Sequence, residues 1–229
     1  AGLRTGNKFS PYPEEMNRKL TGAIADIHFA PTSTSKNNLL KENIDPAAIV
    51  VTGNTVIDAL QTTVKADYRF TDSGLQKALA GGKRLILVTT HRRENLGEPM
   101  RHVYQALRKV LENHPDVEAI FPVHKNPKVR EIVDEELGKL AQVHLIEPLD
   151  YEPFANLMAK VDIVLTDSGG IQEEAPALGK PVLVLRDTTE RPEAVDAGTV
   201  KLVGTAYDDV LRETSLLLDD SKYYQSMAE

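Results

Sequence analysis

From residue 83 onward the apolar residues of this chain fall into short runs that alternate with helical stripes. Leu85-Ile86-Leu87-Val88, Val117 to Val123, Val143-His144-Leu145-Ile146, Ile163-Val164-Leu165, Val182-Leu183-Val184-Leu185 and Val200-Lys201-Leu202-Val203 have strand length. Their continuous apolar character is that of strands covered on both faces. Between them Met100, Val103, Tyr104, Leu107, Val110 and Leu111 recur at helical spacing behind Pro99. A charged helix is predicted over 127–140, another around Phe154, Leu157, Met158 and Val161, and a third opening at Gly169-Gly170. Val210, Leu211, Thr214, Leu217 and Leu218 make a closing amphipathic helix. Strands alternating with helices predict βα units, a parallel sheet of six strands and one doubly wound domain.

The first 82 residues read differently. Residues 13–25 predict a helix with Met16, Leu20 and Ile24 on one face, and Ile27-His28-Phe29 a short strand. Thr34 or Ser35 is expected to cap a helix carrying Leu39 and Leu40. Ile49-Val50-Val51 is strand-like, and Val56, Ile57, Leu60 and Val64 form a helix stripe. The polar stretch 65–82 reads as a loop or a short helix. One or two strands with two helices are too little for an independent sheet domain. Residues 1–50 are therefore expected to be the back part of a domain, the alternative being that they decorate the complete one.

Composition adds exclusions. Of 229 residues, 41% are hydrophobic and 27% charged, so there is material for a large core and no signature of disorder. A net charge of −7 argues against a broad nucleic-acid surface. The absence of cysteine removes disulfides, thiolate catalysis and zinc–thiolate sites. No run approaches the ~20 apolar residues of a membrane helix. The opening Ala1-Gly2-Leu3-Arg4-Thr5 lacks the apolar core of a secretory leader, and a cytoplasmic location is the expectation.

Polar clusters follow the strands. In Thr166-Asp167-Ser168-Gly169-Gly170-Ile171-Gln172-Glu173-Glu174, two glycines allow close backbone approach, and amides at a helix start suit a diphosphate. Ser168 can add its hydroxyl, and Glu174 can accept from a ribose diol, by analogy with dinucleotide sites. The plainer reading is a tight strand–helix turn with Ser168 as N-cap. Thr89-Thr90-His91-Arg92-Arg93-Glu94-Asn95 offers a histidine that titrates near neutrality and two arginines for phosphate or carboxylate, or simply a solvated loop. Val123-His124-Lys125-Asn126-Pro127 supplies another histidine beside a helix start. Asp187-Thr188-Thr189-Glu190-Arg191-Pro192-Glu193 supplies Arg191 for a phosphate. Four such clusters on successive strand ends predict one functional rim. His91, His124 and His144 lack metal-ligand spacing, and no HExxH, G-x-S-x-G, Walker A or G-x-G-x-x-G string is present.

With these residues in hand, the chain resembles the non-hydrolysing UDP-N-acetylglucosamine 2-epimerases of bacteria. The matching segments are AGLRTGN at 1–7, PYPEEMNR at 11–18, FAPT at 29–32, VTGNTVIDAL at 51–60, THRRENLG at 90–97, FPVHKNP at 121–127, TDSGGIQEEA at 166–175 and TERPEA at 189–194. The resemblance implies an α/β fold, two Rossmann-like domains in a GT-B arrangement with substrate in the cleft between them. In the family a whole first sheet, with a His-Val-Glu, precedes the AGLRTG segment, and the chain runs past Met-Ala-Glu. Residues 1–50 then correspond to the C-terminal remnant of the first domain and 51–229 to the second, UDP-binding domain.

The implied reaction inverts C2 of UDP-GlcNAc to give UDP-ManNAc, through elimination of UDP to a glycal and re-addition. By resemblance Ser168, Gly169 and Gly170 hold the diphosphate and Glu174 the ribose, while Arg191 and His91 contact phosphate. His91 and Glu14 are the implied catalytic residues. Phe154, with Leu149 and Pro148, flanks uracil. Arg92, Arg93 and His124 are implied contributors to a second, activating UDP-GlcNAc site. No cofactor or metal, no nucleic acid and no membrane partner is implied, and a homodimer is. A fragment without the family's upstream acids is expected to be inactive alone. A GT-B glycosyltransferase, a hydrolysing epimerase that releases free ManNAc, and a non-enzymatic nucleotide-sugar-binding module stay open as alternatives.

Overall fold

The computed structural model describes every residue except Pro11, Glu190 and Glu229. The chain separates into two compact units, residues 1–59 with 189–191, and residues 60–188 with 192–229. Among the described residues no helix is long and apolar enough to cross a membrane.

The first unit is small. Helix α1 (Glu14–Ile24) leads to strand β1 (His28–Ala30), helix α2 (Ser33–Lys41), a 3-10 turn at Pro46–Ala48 and strand β2 (Ile49–Val51). Helix α3 (Thr55–Thr63) then carries the chain toward the second unit. The two strands pair in parallel, with His28 opposite Ile49. Ala30, Leu39 and Ile49 form the buried core, with Leu40 and Ile44 against it. Only one side of the pair is covered. Phe29 and Val50 on the other side are exposed, as are Leu20 and Ile24 on α1.

Polar contacts hold this unit as much as apolar ones do. Glu15 is fully buried and accepts from the amides of Thr5 and Gly6 at 3.3 and 3.2 Å. Arg4 grips Glu42 with two bonds of 2.9 Å, and they hold the Glu42 carboxyl below its ordinary range. The cap of α2 is Thr32 rather than Thr34 or Ser35. A capping hydroxyl must sit on an extended residue ahead of the helix. Thr32 does so and accepts from the Ser35 amide at 3.1 Å, which leaves Thr34 and Ser35 inside the first turn.

The second unit holds the six predicted strands: β3 (Arg84–Thr89), β4 (Val117–Pro122), β5 (Val143–Ile146), β6 (Ile163–Thr166), β7 (Val182–Val184) and β8 (Val200–Leu202). All are parallel, in the order β5-β4-β3-β6-β7-β8. Its helices are α4 (Ser73–Ala80), α5 (Glu98–Asn113), α6 (Pro127–Glu136), α7 (Tyr151–Lys160), α8 (Ile171–Glu174), α9 (Pro192–Asp196), α10 (Tyr207–Asp219) and α11 (Ser221–Met227). Alternate residues of a strand face opposite sides, so β3 sends Ile86 and Val88 to one core and Leu85 and Leu87 to the other. The first core is covered by α5, α6, α10 and α11 through Tyr104, Leu111, Val133, Leu217 and Met227. The second is covered by Leu60, Leu75, Leu157 and Met158 from α3, α4 and α7. Tyr104 packs edge-to-face on Phe121 with centroids 5.6 Å apart, and its hydroxyl meets that of Thr90 at 2.6 Å. Burial pushes that phenol far up from its ordinary value.

Of the two readings of 65–82, the short helix is the one found: α4, started by Asp72, whose carboxylate accepts from the Leu75 amide at 2.7 Å. Two other helices depart from the expectation. Helix α11 was not read from the sequence. Asp220 caps it by accepting from Lys222 and Tyr223 at 2.9 and 3.1 Å. Helix α6 stops at Glu136 instead of reaching 140. The backbone closes there, and a Cβ on Gly138 would lie 2.6 Å from the Asp134 carbonyl oxygen. Gly138→Ala is therefore expected to destabilise the protein by about 1–3 kcal/mol, the usual scale of overpacking. Denaturant unfolding followed through α-helical circular dichroism measures this; an unchanged midpoint would mean that the turn relaxes without cost.

Candidate functional site

In the sheet order, β3, β4 and β5 proceed one way from the centre, and β6, β7 and β8 the other. The carboxyl ends of β3 and β6 therefore flank the topological switch point, where open α/β sheets bind ligands. Thr89 and Thr166, paired in register across these two strands, join hydroxyls at 2.7 Å.

A cavity of about 190 Å³ lies at this edge. Thr89, Thr90 and His91 line it from the end of β3, and Pro122 and His124 from the end of β4. Pro148 and Leu149, just ahead of α7, and Phe154 in its first turn add an apolar side, and Ser168 and Ile171 close it from the β6–α8 turn and the start of α8. Of the residues singled out in the sequence, His91, His124, Ser168 and Phe154 are thus brought together, with Pro148 and Leu149 beside them. Among the described residues, the cluster after β7 contributes no lining residue. Strand β7 is separated from β3 by β6, and the segment around Arg191 belongs to the first unit.

The turn after β6 differs from the expectation in detail. Helix α8 has only four residues before a 3-10 turn at Pro176–Leu178, and Gly170, not Ser168, stands at its cap. A helix this short adds little dipole. Its amides matter more. Among the described residues, the amides of Gly169, Gly170 and Ile171 donate to no acceptor within the chain. The Ser168 amide, by contrast, donates to the Thr166 hydroxyl at 2.9 Å. Three unspent N–H groups in succession make a concavity suited to an anion.

Glu174 closes α8. Burial raises its carboxyl above the ordinary range, and the hydroxyl of Tyr151 bonds to it and pulls the other way. A Cβ on Gly170 would come within 3.3 Å of Glu174 Oε1, so the carboxylate and the turn are close neighbours.

His91 sits beside a residue the sequence reading quoted but did not single out. Asp167 is fully buried, and His91 Nδ1 lies 3.1 Å from its Oδ1. The same carboxylate accepts from the amides of His91 and Arg92, each at 2.9 Å to Oδ2. Asn95 reaches it at 3.4 Å and also donates to the Leu185 carbonyl at 3.0 Å. Arg92 turns its Nε to the Asp167 carbonyl at 3.2 Å, and Arg93 is exposed in a 3-10 turn; neither lines the cavity. His124 lies with its ring 6.0 Å from that of His91 at an interplanar angle of 25°, and its Nδ1 accepts from the Asn126 amide at 3.1 Å. In the first unit, Glu14 opens α1, and the Arg191 amide donates to the Thr189 hydroxyl at 3.1 Å. Neither residue lines the cavity.

A family model described as UDP-N-acetylglucosamine 2-epimerase matches residues 1–229. The UDP-N-acetylglucosamine 2-epimerase of Bacillus subtilis is 55% identical over 229 residues, covering 100% of this chain and 59% of the relative. The S. aureus MnaA–UDP co-structure superposes with a TM-score of 0.95 at 48% identity, over 100% of this chain and 62% of that one. The UDP-GlcNAc 2-epimerase from Neisseria meningitidis bound to UDP-GlcNAc gives 0.91 at 47% identity, over 100% and 63%. The chain thus spans about three fifths of the length of these relatives. The six-stranded parallel α/β sheet, the rim at its switch point and a match along the entire chain agree: this chain belongs to the UDP-N-acetylglucosamine 2-epimerase family.

Proposed function

We propose that this chain is the UDP-holding part of a non-hydrolysing epimerase that interconverts UDP-GlcNAc and UDP-ManNAc. One observation carries the reading. Three unspent amides at Gly169–Ile171 sit at the end of β6 beside His91, next to an apolar wall of Phe154, Leu149 and Pro148. Amides in succession fit a diphosphate, and an apolar wall fits a base. The cavity of about 190 Å³ is smaller than the roughly 300–1,000 Å³ that encloses a whole ligand, in keeping with a part site. The solved relatives that carry UDP or UDP-GlcNAc support this choice of ligand.

The chemistry asks for such a grip. C2 of the sugar is not adjacent to a carbonyl, so its proton is not acidic. In the route proposed here a base takes the C2 proton, the C1–O bond breaks with its electron pair leaving on UDP, and a C1=C2 glycal forms. Return of UDP to C1, with protonation of C2 from the other face, gives the epimer. UDP must stay bound throughout, which converts the return into an intramolecular step. Ser168, Gly169 and Gly170 hold the diphosphate, Glu174 the ribose and Arg191 a phosphate. His91 donates a proton to the departing diphosphate, and Glu14 belongs to the acid–base set. Arg92, Arg93 and His124 serve a second, activating UDP-GlcNAc. The active form is a homodimer that works in the cytoplasm, and the acids completing the reaction lie in the part of the relatives' length not covered by this chain.

Three outcomes follow. UDP binds the chain, and Gly169→Val weakens binding at least tenfold, about 1.4 kcal/mol, because a side chain blocks close approach; titration calorimetry showing undiminished affinity would sink the diphosphate assignment. The 229-residue chain alone incorporates no deuterium at C2 of UDP-GlcNAc in heavy water. Steady exchange there would mean that Glu14 and His91 suffice without further acids. In a form of the protein that turns over, His91→Ala lowers kcat about 10²–10⁴-fold and changes KM far less, since the proton is needed in the transition state. A loss confined to KM would make His91 a binding residue only. In the same assay, UDP-ManNAc as product distinguishes this enzyme from one that releases free ManNAc.

A further inference from the structure

We propose that Asp167 is the positioning residue for His91: it holds the imidazole as the Nδ1–H tautomer and turns Nε2 to the ligand. The inference rests on the assignment of His91 to the departing diphosphate.

Asp167 has no solvent exposure, so its carboxylate must find its partners inside the protein. All of those seen are N–H groups. The His91 amide approaches both oxygens, at 2.9 and 3.2 Å. The Arg92 amide and the Asn95 side chain come to Oδ2 at 2.9 and 3.4 Å. Every hydrogen bond seen on this carboxyl comes from an N–H group, and a bare ring lone pair 3.1 Å from its Oδ1 would set two acceptors against each other, so the proton is assigned to that ring atom. That atom is His91 Nδ1. In a neutral imidazole the lone pair then lies on Nε2, at the opposite corner of the ring. When Nε2 is protonated it becomes the donor.

His124 provides an internal contrast. Its Nδ1 accepts from the Asn126 amide, so its proton belongs on Nε2. Two neighbouring imidazoles with centroids 6.0 Å apart are therefore expected in opposite tautomers. Asp167 also directly precedes Ser168, Gly169 and Gly170. One residue thus fixes His91 relative to the diphosphate turn, and a proton donor gains from a fixed position relative to its leaving group.

A carboxylate that merely anchored the 91–95 loop through its amides would leave the ring nitrogens undetermined. The test is a long-range 1H–15N correlation spectrum of the chain labelled with 15N-histidine, at pH about 8.5, roughly two units above the ordinary histidine value. A His91→Asn spectrum assigns the His91 signals. The expected result is a protonated Nδ1 and bare Nε2 on His91, with the reverse on His124. A His91 proton on Nε2, or an averaged pair of nitrogens, overturns the proposal. Asp167→Asn should shift His91 toward the other tautomer. In a form of the protein that turns over, it should lower kcat at least about 10²-fold with KM changed only a few-fold; a kcat within about threefold of the parent overturns it. If Asp167→Asn does not fold, the parent spectrum decides. UDP titration of the parent chain separates the two readings. Absent UDP binding defeats the proposed function and leaves the tautomer standing, whereas the wrong tautomer with UDP bound defeats only this inference.

Discussion

A carboxylate shut away from water at the edge of an apolar sheet must be met by N–H donors, or the fold loses several kcal/mol. Asp167 is such a group, and the path of the 91–95 segment is what meets it. The two backbone amides pointing at it oblige the chain to turn immediately after β3. That turn brings His91 to the rim of the cavity. Asn95 extends the arrangement to the carbonyl of Leu185, just beyond β7, so the ends of three strands share one polar cluster. The position of the histidine is thus a consequence of satisfying a buried charge.

The central sheet was readable because its strands are buried on both faces. Burial of that kind leaves continuous apolar runs, which need no periodicity to be seen. The ends of elements were less readable. Helix α6 ends at Glu136, and the tight backbone after it, where a Cβ on Gly138 would lie 2.6 Å from the Asp134 carbonyl oxygen, leaves no mark in the apolar pattern. Helix α11 lacks a clear stripe and depends on the Asp220 cap, the burial of Met227 and the bond from the Tyr224 hydroxyl to the Asp162 carbonyl at 3.0 Å. The cap of α2 was placed two or three residues late because its Ser/Thr-rich start offers several hydroxyls, and only backbone conformation selects Thr32.

The site was legible to the extent that parallel strands deliver their carboxyl ends to one edge. That rule alone collected His91, His124 and Ser168, while Phe154, a helix residue, came from the family resemblance. It did not single out Asp167, because an acid after a strand reads as solvated until the neighbouring strand is known. The pairing of Thr89 with Thr166 brings together His91 and Asp167, which lie 76 positions apart in sequence. The same rule also named Arg191, after β7, which does not line the cavity and belongs to the first unit; Glu14, in the first unit too, came from the family resemblance.

The first unit carries a further consequence. Among the described residues β2 pairs only with β1, so its outer ladder is open, whereas the Ala1 amine reaches the Phe29 carbonyl on the outer edge of β1; Phe29 and Val50 stand bare on one side. An open ladder beside bare apolar side chains is a template for other strands. In colloidal terms, attraction between molecules at this patch competes with the repulsion from a net charge of −7. Added salt screens the repulsion and leaves the patch intact, so self-association of the isolated chain should increase with ionic strength.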